Sequence, residues 1–352
     1  MLPRDSDYAH AKRRIEAALE QPHASAHAIV QTILAESADV LAIHSSCWHG
    51  TDPASGSLLD GAELGDPPGS FEESLDYEYR RPDINRFVNL SAGRDKVAAI
   101  STATGNRLSV SARFREMIEP TGVADELRVA FSDAYGMWMS VVLFTERRMT
   151  EQDLRFVADI VPGATSAMRE TTLSPDVSPA EVDPADDTAP SVLLLDAADR
   201  VISADAVARR RLGLLPGPGG NQAPGVISFL AARARFDRQA GPATARMRAL
   251  DGRWFVINVS LLDDVASGNV AAVVQPAPGE LILDNVLRAM GLSAREREIA
   301  SLLARGRPTK SIAAMLGLSP WTVQDHIKAV HAKTGVSRAD LGSLGAQALV
   351  MS

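Results

Sequence analysis

Gln324, Asp325 and Lys328 place an amide, a carboxylate and an ammonium group on one face of a predicted helix. On a helix drawn at about 100° per residue, all three lie within roughly 60° of Trp321. In a DNA major groove, an amide can pair with adenine and an ammonium group with guanine. An ordinary solvated helix face is the alternative interpretation, because the number of charges is small.

Helix start and stop signals show how these side chains could be positioned. Ser293 and Glu296 form a capping box for a first helix, which Pro308 breaks. Thr309 is expected to cap a short second helix, and Gly317 is expected to end it. The residues expected to face inward from these two helices are Ile299, Leu302, Leu303, Ile312, Ala313 and Leu316.

The third predicted helix carries the polar face. It begins with Ser319 as N-cap and Pro320 at the first helical position, and it runs to about Thr334. Its apolar side, opposite Trp321, consists of Val323, Ile327 and Val330. A short helix, a turn and a helix with one polar face form a helix-turn-helix, which favours DNA contact over the solvated-face alternative.

A fourth helix is predicted over 338–349, with Ser337 as its cap. We expect it to pair two copies, so that two recognition helices meet successive major grooves of an inverted repeat. The candidate contacts of this homodimer are Leu341, Leu344 and Ala348.

DNA contacts of two kinds are expected from these helices. Thr322 and Lys310 stand at helix starts, where they can meet phosphates. Gln324, Asp325 and Lys328 are expected to contact base edges instead. The whole predicted DNA-binding set is Thr309, Lys310, Ser319, Trp321, Thr322, Gln324, Asp325, Lys328 and Lys333.

Three blocks of this segment fit one family pattern from Leu292 to Leu341. They are the opening LSAREREIA, the core IAAMLGLSPWTV and the ending KTGVSRADL. Together they resemble the LuxR/FixJ-type DNA-binding domain, although Gln324 stands where a basic residue is common. The resemblance implies an all-α C-terminal helix-turn-helix of four helices that binds double-stranded DNA and regulates transcription.

Charge is distributed unevenly along the chain. The formal net charge is −8, yet residues 291–340 contain eight Lys and Arg against four acids, so the rest of the chain carries −12. A basic end on an acidic body indicates one part for a polyanion and another part for a different task.

Two breaks divide the chain into three predicted domains. Residues 171–190 hold four prolines and five acids and are predicted to be a disordered linker. The second break is QPAPGE, at 275–280. The predicted domains are therefore 8–170, 191–275 and 280–352.

The first piece is predicted to be an α+β fold. Helices over 8–19 and 26–35 precede a strand over 38–48, and ELRVAFSD and MWMSVVLFTE form a hairpin. Thr150 and Asp153 form a capping box for a later helix. The blocks GVADELRVAF and WMSVVLFTE resemble GAF-like sensor regions.

The second piece, 191–275, is also predicted to be α+β. Its pattern indicates five short strands with helices between the second and third, and Asp251-Gly252 is the strongest hairpin signal in the chain. The glycine-rich PGPGGN is interpreted as a surface loop because no Lys-Ser/Thr follows it. The block DGRWFVINVS resembles PAS-like sensor regions, which implies control by an unidentified ligand or partner.

Enzyme and metal functions have little support. The chain contains no HExxH, GxSxG or CxxC pattern, so we expect no enzyme and no cofactor. His44, Cys47 and His49 could supply metal ligands, but strand alternation points His44 away from the other two, so no metal is predicted. A single cysteine, no long apolar run and no export signal predict a cytoplasmic protein without membrane contact.

Two alternatives from other classes stay open at this point. One is a small-molecule sensor or protein-interaction module whose basic C-terminal end docks a partner. The other is a sigma-factor-like protein, which would need an upstream aromatic and basic region that the acidic first 290 residues do not offer.

Overall fold

The computed structural model describes residues 3–81, 83–173, 190–216, 221–236, 242–262, 267–337 and 340–341. The helices are α1 (Asp5–Leu19), α2 (Ala26–Leu41), α3 (Phe71–Leu75), α4 (Phe87–Ala92), α5 (Ile100–Ala103), α6 (Glu151–Thr171), α7 (Ala206–Leu212), α8 (Gly225–Phe236), α9 (Gly279–Ala289), α10 (Ala294–Ala304), α11 (Thr309–Leu316) and α12 (Pro320–Thr334). The strands are β1 (Ile43–Thr51), β2 (Leu58–Leu64), β3 (Val97–Ala99), β4 (Asp125–Asp133), β5 (Gly136–Thr145), β6 (Ser191–Leu195), β7 (Val201–Ala204), β8 (Ala243–Arg248), β9 (Trp254–Leu261) and β10 (Val270–Pro276). Further helical turns are Asp76–Arg80, Leu108–Val110, Phe114–Ile118 and Glu119–Thr121.

The strands form two antiparallel five-stranded sheets with the same strand order. The first sheet has the order β2-β1-β5-β4-β3 and the second has the order β7-β6-β10-β9-β8. In each sheet the chain leaves one edge after its second strand and returns at the opposite edge with its third. Helices α3 and α4 make this crossover in the first sheet, and α7 and α8 make it in the second. The fold is therefore multidomain, with two α+β units followed by helices.

Both faces of the first sheet are covered. Helices α1, α2 and α6 pack on one face, and a second core that includes Phe87 and Phe114 covers the other. This explains why β4 and β5 are buried along nearly their whole length. The predicted hairpin is confirmed, since these two strands pair antiparallel.

The predicted capping box before α6 is confirmed and also holds α1. The Thr150 hydroxyl accepts from the Asp153 N–H, and Asp153 accepts a 2.6 Å bond from the Tyr8 hydroxyl. Burial opposes ionisation of Asp153, but the bonds from Arg147 and Tyr8 outweigh it and lower the pKa of this carboxyl. Burial and the same carboxylate raise the pKa of Tyr8 to about 12.

The second sheet buries one face against α7 and α8. Strand β8 alternates between buried and half-buried residues, as expected for a sheet with one covered face. The predicted hairpin at Asp251-Gly252 is confirmed by the pairing of β8 with β9. Gly252 has φ +86°, a left-handed conformation that a residue with a side chain adopts only under strain.

Two local predictions were wrong. The segment predicted as a strand over 38–48 begins inside α2, because the buried stripe of that helix continues through Val40 and Leu41. The helix ends only at Ala42, which has φ +51°, and β1 starts at Ile43. Thr309 does not cap α11, because Pro308 occupies the N-cap and Thr309 is the first helical residue.

Other predictions concern residues beyond those described. The proposed linker over 171–190 lies mostly outside them, although α6 reaches Thr171. The glycines of PGPGGN, at 217–220, lie outside them as well. Among the described residues, no helix combines the length and apolar character needed to cross a bilayer.

Candidate nucleic-acid interface

The C-terminal helices share one apolar core. Its buried members are Leu283, Leu287, Leu292, Ile299, Ala300, Leu302, Leu303, Ile312, Ala313, Val323, Ile327, Val330 and Leu341. Ser293 and Glu296 open α10 as the predicted capping box, with Glu296 accepting a 2.7 Å bond from the Ser293 N–H. Helix α10 thus begins at a defined residue and supports the two helices that follow.

Helices α11 and α12 form a helix-turn-helix. Gly317 ends α11 with φ +64°, and only residues 317–319 separate the two helices. The Ser319 hydroxyl then caps α12 by accepting a 3.0 Å bond from the Thr322 N–H, with Pro320 at the first helical position. The start of α12 agrees with the start predicted from these residue types.

One side of α12 is buried and the other faces solvent. Val323, Ile327 and Val330 are buried. Gln324 and Lys328 are exposed on the outward side. This division is the one that a helix needs if it is to lie on a protein core and insert its outer face into a groove.

Trp321 is the most unusual residue of the outer face. It is 82% exposed, more than any other large hydrophobic residue among those described. An exposed indole at the start of a helix has apolar surface available for a partner, including the methyl groups of thymine.

Lys328 is paired within the helix, but only loosely. Its Nζ lies 3.2 Å from Asp325 Oδ1, and both side chains are more than two-thirds exposed. An ion pair so open to water contributes about 0–1 kcal/mol. Lys328 can therefore exchange Asp325 for a DNA acceptor at little cost.

The residues predicted to contact phosphate sit at the two helix starts. Lys310 is exposed at the second position of α11. The Thr322 N–H is already bound by Ser319, and the Thr322 hydroxyl lies 2.9 Å from the Ser319 hydroxyl. A phosphate contact from Thr322 must therefore use its hydroxyl group.

Lys333 connects the end of α12 to the start of α10. Its Nζ donates 2.7 Å to Glu296 and 3.1 Å to the Gly291 carbonyl. Burial opposes ionisation of Glu296, but the Lys333 ammonium and the Ser293 N–H outweigh it and lower the pKa of this carboxyl. No sequence signal indicated the pair, because its members are far apart in the chain.

The arginines of α10 are also paired with acids. Arg295 bonds Glu298 at 2.8 Å, and Arg297 bonds Asp284 of α9 at 3.1 Å. The surplus of positive charge counted in the sequence is therefore only partly available to a polyanion.

The structure describes one of the three predicted dimer contacts, Leu341. Leu341 is fully buried in the core of its own domain, so its side chain is not accessible to a second copy. Leu344 and Ala348 lie outside the described residues.

Comparison with known proteins identifies the C-terminal part. Residues 290–341 match the family model of bacterial regulatory proteins, luxR family. This part of the chain is a LuxR-type helix-turn-helix domain, as the sequence motifs predicted. No curated protein matches the chain.

Solved structures resemble parts of the chain. The free methionine-R-sulfoxide reductase of Neisseria meningitidis is 10% identical, covers 49% of this chain and 95% of its own, and has a TM-score of 0.34. The GAF domain of cyanobacteriochrome TePixJ is 14% identical, the match covers 44% of this chain and 95% of that domain, and the TM-score is 0.30. The VqmA dimer of Vibrio cholerae, described as a LuxR-type receptor, is 18% identical. The match covers 45% of this chain and 82% of VqmA, with a TM-score of 0.19. These TM-scores are all below 0.5, and the likenesses decide neither ligand nor activity.

Proposed function

We propose that this chain is a sequence-specific DNA-binding transcription regulator. The observation that carries the proposal is the LuxR-type domain at 290–341, in which α12 turns its polar side chains outward. A helix-turn-helix presents its second helix to the major groove in this way. DNA recognition needs no covalent step, so the proposal includes neither an enzyme activity nor a cofactor.

In this proposal, the residues on the outer face of α12 make the base contacts. Gln324 offers a bidentate amide for adenine, and Lys328 offers an ammonium group for guanine. Trp321 adds an exposed apolar surface at the end of the helix that enters the groove first. Asp325 forms an exposed ion pair with Lys328 that a DNA acceptor can replace.

Phosphate contacts position the helix without selecting a sequence. Lys310 from α11 and the hydroxyl groups of Ser319 and Thr322 lie at the helix starts, where the helix dipoles favour an anion. Lys333 takes part indirectly, because it fixes α12 to the start of α10.

The two sheet units supply control in this proposal. Helix α9 continues from the second sheet into the DNA-binding domain, so a ligand or partner at the upstream units can act on the DNA-binding helices through it. A homodimer on an inverted repeat completes the proposal, with Leu344 and Ala348 as the remaining predicted contacts.

The test is recovery of genomic fragments by the purified full-length protein, followed by sequencing. We expect the recovered fragments to share an inverted repeat. A variant with Gln324→Ala and Lys328→Ala should lose this enrichment, whereas Lys12→Ala, on α1, should keep it. Random recovery by the unmodified protein would overturn the proposal and favour a basic docking module.

A further inference from the structure

A cavity of about 250 Å³ lies where the two sheet units meet α9. The end of β1 and the end of α6 form one side, β8 and β9 form a second side, and Asn285 of α9 forms a third. Ligand pockets commonly occur where domains meet. The volume lies just below the usual range of about 300–1,000 Å³, so an occupant would be small.

Two indole rings from different sheets line the cavity. Trp138 of β5 and Trp254 of β9 are each at most 8% exposed. The Trp138 N–H is already bound by Asp133 at 3.2 Å, so its ring offers only apolar surface to an occupant. Two indole rings suit a ligand with a flat apolar ring.

Two polar atoms of the lining residues lack a partner within the described part of the chain. Arg246 Nε is a buried donor, and Asn285 Oδ1 is a buried acceptor in a residue only 1% exposed. Buried polar groups in folded proteins nearly always have a partner, so this donor and acceptor are available to water or to a bound molecule.

Both residues are held in place from behind by Asp52, which is fully buried. Asn285 Nδ2 donates 3.3 Å to Asp52 Oδ1, and Arg246 Nη1 lies 3.5 Å from Asp52 Oδ2. The Arg246 N–H also donates to the same carboxylate at 3.2 Å. Asp52 therefore neutralises Arg246, while Arg246 Nε and Asn285 Oδ1 stay without a partner among the described residues.

Asp60, the acid among the lining residues, is hydrogen-bonded to His27. His27 Nε2 lies 3.1 Å from Asp60 Oδ1, and His27 Nδ1 accepts a 3.0 Å bond from the Trp48 indole. An anionic occupant would meet the Asp60 carboxylate, and a cationic occupant would have to compete with His27 and Arg246 for carboxylates that are already bonded. A neutral occupant has no such cost.

We propose that this cavity binds a small, flat, neutral molecule that carries a hydrogen-bond acceptor beside a donor, as a primary amide or a lactam does. The acceptor of the ligand meets Arg246 Nε, its donor meets Asn285 Oδ1, and its apolar frame lies against Trp138 and Trp254.

Binding at this site would be transmitted to the DNA-binding domain by α9. Besides Asn285, this helix carries Arg288, whose Nη1 donates 2.8 Å to the Tyr135 carbonyl of the first unit. Asp284 of the same helix bonds Arg297 of α10. This consequence rests on the proposed function, whereas the binding site itself does not.

Benzamide and benzoate are matched probes for the site. They have the same ring, but benzamide carries an acceptor and a donor, whereas benzoate carries two acceptors and a charge. We expect benzamide to change the tryptophan fluorescence of the full-length protein saturably, because two of its four tryptophans line the cavity. Benzoate should bind at least about tenfold more weakly, since it leaves Asn285 Oδ1 facing another acceptor.

Two variants test the assigned atoms. Arg246→Lys keeps a cation for Asp52 but removes the Nε donor, and Asn285→Leu removes the acceptor at similar volume. Each should weaken benzamide binding about tenfold, whereas Arg200→Lys, at an exposed pair with Asp196, should not change it. Arg246→Lys decides the matter if Asn285→Leu fails to fold.

Three results would overturn the site: no saturable response to benzamide, equal affinity for benzoate, or full affinity in Arg246→Lys. Benzamide binding that leaves DNA affinity unchanged would overturn only the transmission through α9. Loss of sequence-specific DNA binding in the unmodified protein would overturn the proposed function, while the fluorescence titration would still test the site.

Discussion

Glu296 connects the start of α10 to the end of α12, and its replacement should loosen both. Its carboxylate accepts 2.7 Å bonds from the Ser293 N–H and from Lys333 Nζ. Glu296→Gln keeps a side chain that can complete the capping box but removes the charge that Lys333 needs. Glu296→Ala removes both interactions.

The expected magnitudes follow from these two bonds. Loss of a capping interaction costs about 1 kcal/mol. The ion pair adds about 0.5–1 kcal/mol, because Lys333 is 37% exposed and the pair is partly screened by water. We therefore expect the free energy of opening α10 to fall by about 1.5–2 kcal/mol in Glu296→Ala and by about 0.5–1 kcal/mol in Glu296→Gln.

Hydrogen exchange of the full-length protein, followed by mass spectrometry, measures this opening free energy locally. The amides of α10 and α12 should exchange faster in both variants, and those of α6 should not change. Glu298→Gln, at an exposed pair with Arg295, is the matched control and should have almost no effect. Equal losses in Glu296→Ala and Glu296→Gln, or no loss in either, would refute the reasoning.

Three further predictions concern acid stability, a turn and a phosphate contact. The pKa of Glu296 lies below its ordinary 4.5, so the stabilisation that its carboxylate provides is complete above pH 4.5 and is lost as the pH falls through the lowered pKa. The loss of α10 stability on acidification should therefore be smaller in Glu296→Gln than in the unmodified protein, as measured by circular dichroism and hydrogen exchange. Gly252→Ala should lower the free energy of unfolding of the second sheet by about 1–2 kcal/mol in urea titrations, because φ +86° strains any residue with a side chain; no loss would contradict the turn. Lys310→Ala should weaken binding to all DNA alike and reduce the salt dependence by about one unit of slope in anisotropy titrations, and a sequence-dependent loss would contradict a phosphate contact.

Local signals in the sequence predicted the starts of α6, α10 and α12 and the hairpins, but placed the cap of α11 one residue late. Ser293, Ser319 and Thr150 cap the helices that they were expected to cap, and Asp251-Gly252 turns the hairpin. Each of these features depends on residues within a few positions of one another. Boundaries set by packing were less predictable, because α2 continues to Leu41 where its buried stripe overrides the strand-like residues.

Contacts between distant residues could not be predicted in the same way. The sequence predicts Lys333 as a DNA contact, whereas its partner Glu296 is identified only by the fold. Likewise, Asp52, Arg246 and Asn285 come from three separate parts of the chain, and no spacing pattern relates them. Helical periodicity predicts Leu341 as a dimer contact, but periodicity does not distinguish an apolar stripe that faces a second copy from one that packs in the core of its own domain, where Leu341 lies.

The proposed contact between the outer face of α12 and base edges can be tested on two duplexes. The affinity of the full-length protein is compared for the recovered inverted repeat and for a scrambled duplex of equal length, by fluorescence anisotropy at one salt concentration. Gln324→Ala and Lys328→Ala should each cost about 1–3 kcal/mol on the repeat and much less on the scrambled duplex, so that the preference shrinks. If both variants lose affinity equally on the two duplexes, α12 does not insert into the groove as proposed.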